Sequence, residues 1–214
     1  DLYQLKLLSD PVSVALCTHI DVVSDLKHSH SVSGTSSDIT IYENNKVHRP
    51  QDIELDLLTS RDTTHAIIDC ADFPLNMDAS GGYEQLLSGG KRFVAELENQ
   101  LKNKYIDQAR LRARLPEARI FLVSGKNNIM GQVLRHYGYH LDNAYMNITS
   151  SPVTGLNGLL QVDSLVVDSF QIDTVRFRVS SDNTTISYSA QLRNGKDNPN
   201  YIFNALFDGS ITER

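Results

Sequence analysis

Val162-Asp163-Ser164-Leu165, Val167-Asp168-Ser169-Phe170 and Ile172-Asp173-Thr174-Val175 repeat one phrase three times at a spacing of five residues. Successive side chains of a flat strand point to opposite faces, so an odd repeat throws each unit onto the face its predecessor left. A backbone that bends or bulges between units returns the apolar residues to one inner side, as at the corner of a curled sheet. The phrase therefore predicts curled β-structure. The other reading is two ordinary strands joined by a kink, with no periodic meaning in the run of Val, Asp and Ser.

Strand grammar continues on both sides. Downstream, Val175, Phe177 and Val179 alternate with Thr174, Arg176 and Arg178, and Ile186, Tyr188, Ala190 and Leu192 alternate with Ser187, Ser189 and Gln191. Ser181-Asp182-Asn183, Asn194-Gly195 and Asp197-Asn198-Pro199 read as turns, and Tyr201, Phe203, Ala205 and Phe207 follow. In the N-terminal third, Val14 to Val22, Ile53 to Leu57, Ala66 to Cys70 and Phe73 to Met77 alternate in the same way. Lys27 to Thr35, rich in Ser and His, reads as a loop or an edge strand. Ser150-Ser151-Pro152 reads as a turn before a Gly155 to Gly158 loop.

Between these regions the period changes. Leu86, Phe93, Val94, Leu97, Leu101 and Ala109 recur at helical spacing, with Gly89-Gly90 expected to split a short helix from a longer one. Pro116 ends the helical run, Arg119 to Ser124 reads as a strand, and Asn127 or Asn128 is placed to cap a helix carrying Ile129, Met130, Val133, Leu134 and Tyr137. Gly138 suits a left-handed close to that helix. The fold class is α+β and β-rich: a curled or twisted, mainly antiparallel sheet with a central helical insert. The expected divisions are an N-terminal meander (1–80), a helical insert with short strands (81–150) and C-terminal strands of the same sheet system (151–214).

Composition bounds the function. In 214 residues, 26 Asp and Glu exceed 20 Lys and Arg, which disfavours a phosphate backbone as partner, and no basic cluster with interleaved aromatics overrides the balance. Arg110 to Arg114, the densest basic stretch, reads as a helix end. Asp1 without a leader and a fresh strand at Gly209 to Arg214 give the expectation of a piece cut from a longer chain. Cys17 and Cys70 form no CxxC; each lies in a strand-like run and is expected as a buried free thiol rather than a disulfide.

Each stretch that resembles a catalytic motif has a simpler structural reading. Gly125-Lys126 lacks the leading glycine of a phosphate-binding loop, and Asn127 stands where Ser or Thr would hold magnesium; Gly90-Lys91-Arg92 fails likewise. His28 with His30, and His136 with His140, have ligand spacings but no completing Cys or carboxylate. No GxSxG elbow is present. Asn147-Ile148-Thr149 and Asn183-Thr184-Thr185 are glycosylation sequons that matter only in a secreting eukaryote. No enzyme activity, cofactor or metal is expected.

The run Val162 to Phe177 resembles segments of the TamB/AsmA-like translocation and assembly module proteins of Bacteroidetes cell envelopes. So do Leu115-Pro116 to Tyr139, with Ser124-Gly125, Asn127-Asn128 and Gly138-Tyr139, and Ser151-Pro152 followed by Gly155-Leu156. The similarity covers most of residues 52 to 214, and the helical block departs from the nearly all-β repeats of better-known members. The resemblance implies a periplasmic slice of a protein anchored in the inner membrane, whose β-groove has an apolar floor for phospholipids or serves outer-membrane assembly. Its implied partners are a phospholipid or other acyl-chain ligand and outer-membrane assembly proteins; the acidic charge balance speaks separately against nucleic acid. Alternation puts Leu55, Leu57, Ile68, Leu160, Val162, Phe177, Ile186 and Tyr188 on the apolar faces of their strands, as candidates for that floor. The same alternation builds a closed core. The alternative function is a structural or adhesive β-rich extracytoplasmic interaction module without a lipid role.

Overall fold

The computed structural model describes residues 12–43, 46–128, 131, 134–135, 137–167 and 169–213. Its strands are β1 (Val12–Ser24), β2 (His30–Glu43), β3 (Lys46–His48), β4 (Ile53–Thr59), β5 (Thr63–Cys70), β6 (Phe73–Ser80), β7 (Ala118–Ser124), β8 (Tyr139–His140), β9 (Asn143–Ser151), β10 (Gly155–Val167), β11 (Phe170–Ser181), β12 (Thr185–Asn194) and β13 (Phe203–Thr212). Helices α1 (Tyr83–Lys102) and α2 (Gln108–Arg112) lie between β6 and β7. The strands form one open antiparallel sheet in the order β1-β2-β4-β5-β6-β7-β9-β10-β11-β12-β13, with β3 beside β2 and β8 beside β10. The fold is thus β-rich α+β with a helical insert in the middle of the chain. Apart from the two side strands, each strand pairs with its sequence neighbours, because every connection is a hairpin or a hairpin with an insert.

The repeated phrase folds back on itself. Val162 pairs with Val175 and Leu165 with Ile172, so the first and third units face each other and the second forms the hairpin end, where Val167 pairs with Phe170. The bend lies inside the first unit rather than between units. Ser164 is left-handed at φ 54, and its pairing with Asp173 drops out of the ladder. The Asp173 amide donates instead to Asn194 Oδ1 at 2.9 Å. A second bend occurs at the β1–β2 bulge, where Asp38 is left-handed at φ 52 and the register shifts between Ala15 and Cys17.

Several local readings change. His30 to Thr35 belongs to β2, which is flanked by β1 and β4 and is not an edge strand. Gly89 and Gly90 lie inside one continuous α1; Gly89 is buried against Pro116, where an added Cβ would come within 3.4 Å of that ring. Gly155 to Gly158 begins β10 and is not a loop, and Gly209 to Thr212 completes β13 rather than starting another strand. Cys17 is exposed and Cys70 buried, both as free thiols. The expected cap is present: Asn128 Oδ1 accepts the Gly131 N–H at 2.8 Å, and Gly138 is left-handed at φ 80. Ile129, Met130 and Val133 lie outside the described residues, as does His136.

The insert crosses one end of the sheet. The amide of Tyr83, the first residue of α1, donates to Thr59 Oγ1 at the end of β4, and Gln108 Nε2 in α2 donates to the Ile211 carbonyl of β13 at 2.7 Å. Arg112 reaches Asn183 Oδ1 at 2.8 Å in the β11–β12 turn. A helix of this length spans about 30 Å, roughly six strand spacings. Leu111, Ile106 and Leu115 are buried, together with Thr64, Ala79 and Ile186 at this end of the sheet. Within the insert, buried Glu96 accepts from Arg110 Nε at 2.8 Å and from Gln100 Nε2 at 2.9 Å, which pairs its charge.

Candidate functional site

Pairing register decides which side chains share a face, because directly opposed residues project from the same side of a sheet. Read across all eleven strands of the main path, one row is Ile20, Gly34, Leu55, Ile68, Leu75, Leu122, Met146, Leu160, Phe177, Ala190 and Phe207. It contains no polar side chain. The neighbouring row, two residues along each strand, is Val22, Val32, Leu57, Ala66, Met77, Ile120, Ile148, Gly158, Val179, Tyr188 and Gly209. Its single polar atom is the Tyr188 hydroxyl.

All the candidate residues named from sequence lie on this face. Leu55, Ile68, Leu160 and Phe177 occupy the first row, and Leu57 and Tyr188 the second. Val162 sits on the other side of the first row, opposite Ala144 and Val175. Ile186 pairs with Ile211 at the end where the insert crosses and is only 6% exposed. Phe177 and Tyr188, by contrast, are 41% and 40% exposed, and Leu55, Leu57, Ile68, Leu160 and Val162 are half-buried.

The register adds residues that one-strand reasoning left out, chiefly Met77, Ile120, Leu122, Met146 and Ile148 in the centre of the face. Those of β9 were legible as Ala144, Met146 and Ile148 alternating with Tyr145, Asn147 and Thr149. The rows are kept continuous at their glycines by neighbouring side chains. Ile148 lies over Gly158, where an added Cβ would meet Ile148 Cγ1 at 2.9 Å, and the Tyr188 ring lies over Gly209.

The opposite face differs in chemistry. Its central row is Asp21, Ser33, Asp56, Ile67, Asn76, Phe121, Asn147, Leu159, Arg178, Ser189 and Asp208. Apolar contact there is local, as in the edge-to-face pair of Phe121 and Tyr145 with ring centres 5.9 Å apart.

The rejected catalytic motifs occupy structural positions. Gly125 donates its N–H to the Asp72 carbonyl at 2.9 Å, and Asn128 Nδ2 donates to Asp72 Oδ1 at 2.6 Å, so this turn is tied to the β5–β6 hairpin. His28 lies in the β1–β2 turn and His30 opens β2, with Nδ1 2.7 Å from Ser24 Oγ; they do not share a strand face. His140 is 3.5 Å from Asp142. Among the described residues, no cluster of three or more His, Cys, Asp or Glu is arranged to hold a metal ion. Among the same residues, no helix is long and apolar enough to cross a membrane. Comparison with family models, with curated proteins and with solved structures yields no match.

Proposed function

We propose that the apolar face is a floor for acyl chains, and that the chain is a module of an envelope-spanning protein of the TamB/AsmA-like kind, acting in phospholipid transport or outer-membrane assembly. The observation that carries this reading is the pair of rows running unbroken from β1 to β13 while Ile20, Val22, Phe177, Tyr188 and Phe207 remain exposed. Exposed apolar surface of this continuity is unusual unless something covers it. Ten strand spacings give about 48 Å of contour. Hydrocarbon in one bilayer leaflet is about 15 Å deep, so a chain lying across the strands would cover about three spacings. Each buried methylene contributes roughly 0.8 kcal/mol, and the floor needs no catalytic group to hold a chain. A periplasmic location, an inner-membrane anchor in the parent protein and contact with outer-membrane assembly proteins belong to the same proposal.

The test is site-specific photocrosslinking in the parent protein within its envelope. Probes replacing Leu57 or Phe177 should capture phospholipid, whereas probes at Ile67 or Arg178, on the opposite face, should not. Adducts from both faces alike, or only within the protein from Leu57 and Phe177, would overturn the reading. Among the described residues β1 and β13 end the sheet without a further partner, which favours the second reading, an interaction module that recruits a partner strand. In that case crosslinks would concentrate at the edges and contain protein.

A further inference from the structure

At the end of the apolar face lies a cavity of about 290 Å3, formed where the β1–β2 turn, the β4–β5 turn and the start of α1 meet. Lys27, His28, His30 and Arg61 line it, against one carboxylate, Glu84, which already accepts from the Tyr83 hydroxyl at 3.3 Å. Two further acids adjoin the lining without forming part of it: Asp62, next to Arg61 in the β4–β5 turn, and Asp25, which is engaged by the amides of Lys27, His28 and Ser29 at 2.9, 2.8 and 2.8 Å. Neither Lys27 nor Arg61 forms an ion pair among the described residues. His30 uses Nδ1 on Ser24 and keeps Nε2 for another partner. Backbone donors add to these cations: Gly82 supplies no side-chain cap to α1, and the first-turn amides of Glu84 and Gln85 have no intrahelical acceptor.

The position of the cavity narrows the ligand. His30 pairs with Thr59, one step along the strands from the paired Val32 and Leu57. That step is about 7 Å. A cationic cavity thus abuts the start of an apolar row, an arrangement complementary to a molecule with an anionic head and a hydrocarbon tail.

We propose that this cavity takes the phosphate of an anionic amphiphile whose chain runs from Val32 and Leu57 onto Leu55 and Ile68 of the neighbouring row. The proposal rests on the acyl-chain reading of the face, and the experiment separates the two. Amide chemical shifts of the chain would be followed with glycerol 3-phosphate and with dihexanoylphosphatidic acid below its micelle concentration. Both probes should shift Glu84 and Gln85, and only the lipid should also shift Leu57 and Leu55. A Lys27→Ala, Arg61→Ala double variant changes two exposed side chains and should weaken both probes about tenfold or more while the remaining spectrum is preserved. Equal affinity for the two probes would make the site one for free phosphate esters and overturn the amphiphile. If the lipid still shifts Leu57 undiminished in the double variant, the anion site falls and the apolar floor stands. If neither probe produces shifts, both proposals fall.

Discussion

The row from Ile20 to Phe207 and the row from Asp21 to Asp208 lie one residue apart in every strand, yet the first is wholly apolar and the second mostly polar or charged. A one-residue slip in any pairing would exchange the two sets locally, so the face difference itself pins the register. The apolar face is not uniform, however. Where the insert crosses, Thr64, Ala79 and Ile186 are buried, and Ala66 and Val179 of the next row are buried too; Phe177, Tyr188 and Phe207 stay exposed. The molecule thus combines a conventional core at one end of the face with apolar surface that its own described residues leave uncovered.

The largest expected effect lies in that conventional core. Leu111 has no exposed surface, and Leu111→Ala should cost about 2–5 kcal/mol in urea unfolding through the cavity it leaves. A loss below about 1 kcal/mol would mean that the insert is not firmly seated on the sheet.

Next comes a matched pair across the two faces. Leu160 lies between Met146 and Phe177, and Leu159 between Asn147 and Arg178. Leu160→Asp should destabilise by about 2 kcal/mol, because a half-buried carboxylate gains no partner there. Leu159→Asp, beside the Arg178 guanidinium, should cost less than about 1 kcal/mol. Equal losses would break the distinction between the faces, and a negligible loss at Leu160 would mean that the floor is already open to water.

A smaller effect probes the continuity of the rows. Gly209 accommodates the Tyr188 ring, and any Cβ there would collide with that ring. Gly209→Val should therefore cost about 1–2 kcal/mol and swing Tyr188 outward, visible as altered tyrosine fluorescence. The double change with Tyr188→Ser should recover part of the loss, since the clash is gone; simple additivity would exclude the ring packing as its cause.

Much of this architecture was legible because the hydrophobic period is a local property. The switch from alternation in Phe73 to Met77 to helical spacing in Leu86 to Leu101 marked the insert, and alternation marked the faces of β4, β11 and β12. Two things were not local. Pairing partners depend on long-range register, so Leu57 and Tyr188 could be called apolar but not placed in one row. Local breaker rules were also overridden by packing: Gly89 and Gly90 continue α1 because Gly89 sits against Pro116, a contact between segments far apart in sequence. The five-residue repeat pointed to a bend and its chemistry was real, but its units belong to two arms of one hairpin, with the bend displaced to Ser164.

The smallest expected effect concerns a turn outside both rows. The Ser29, Lys27 and His28 amides, in that order of influence, stabilise the charged form of Asp25, with a weaker contribution from the nearby His28 ring; together they outweigh desolvation and bring its pKa from 3.8 down to about 2. A folded-state pKa below the unfolded one means that the turn's contribution is full above about pH 4 and is lost as pH falls through about 2. Amide hydrogen exchange at Lys27, His28 and Ser29 should accelerate with a midpoint near that value. Asp182 holds the β11–β12 turn in the same way, its pKa lowered by the Thr184 and Thr185 amides. Asp25→Asn should abolish the acid-dependent step at the first turn and leave the second unchanged. Amides of the central rows around Leu122 and Met146 should show no such step, since no carboxylate shares their face there. A common midpoint at the turns and the centre would instead signal cooperative acid unfolding of the whole sheet, in which the Asp25 turn has no separate part.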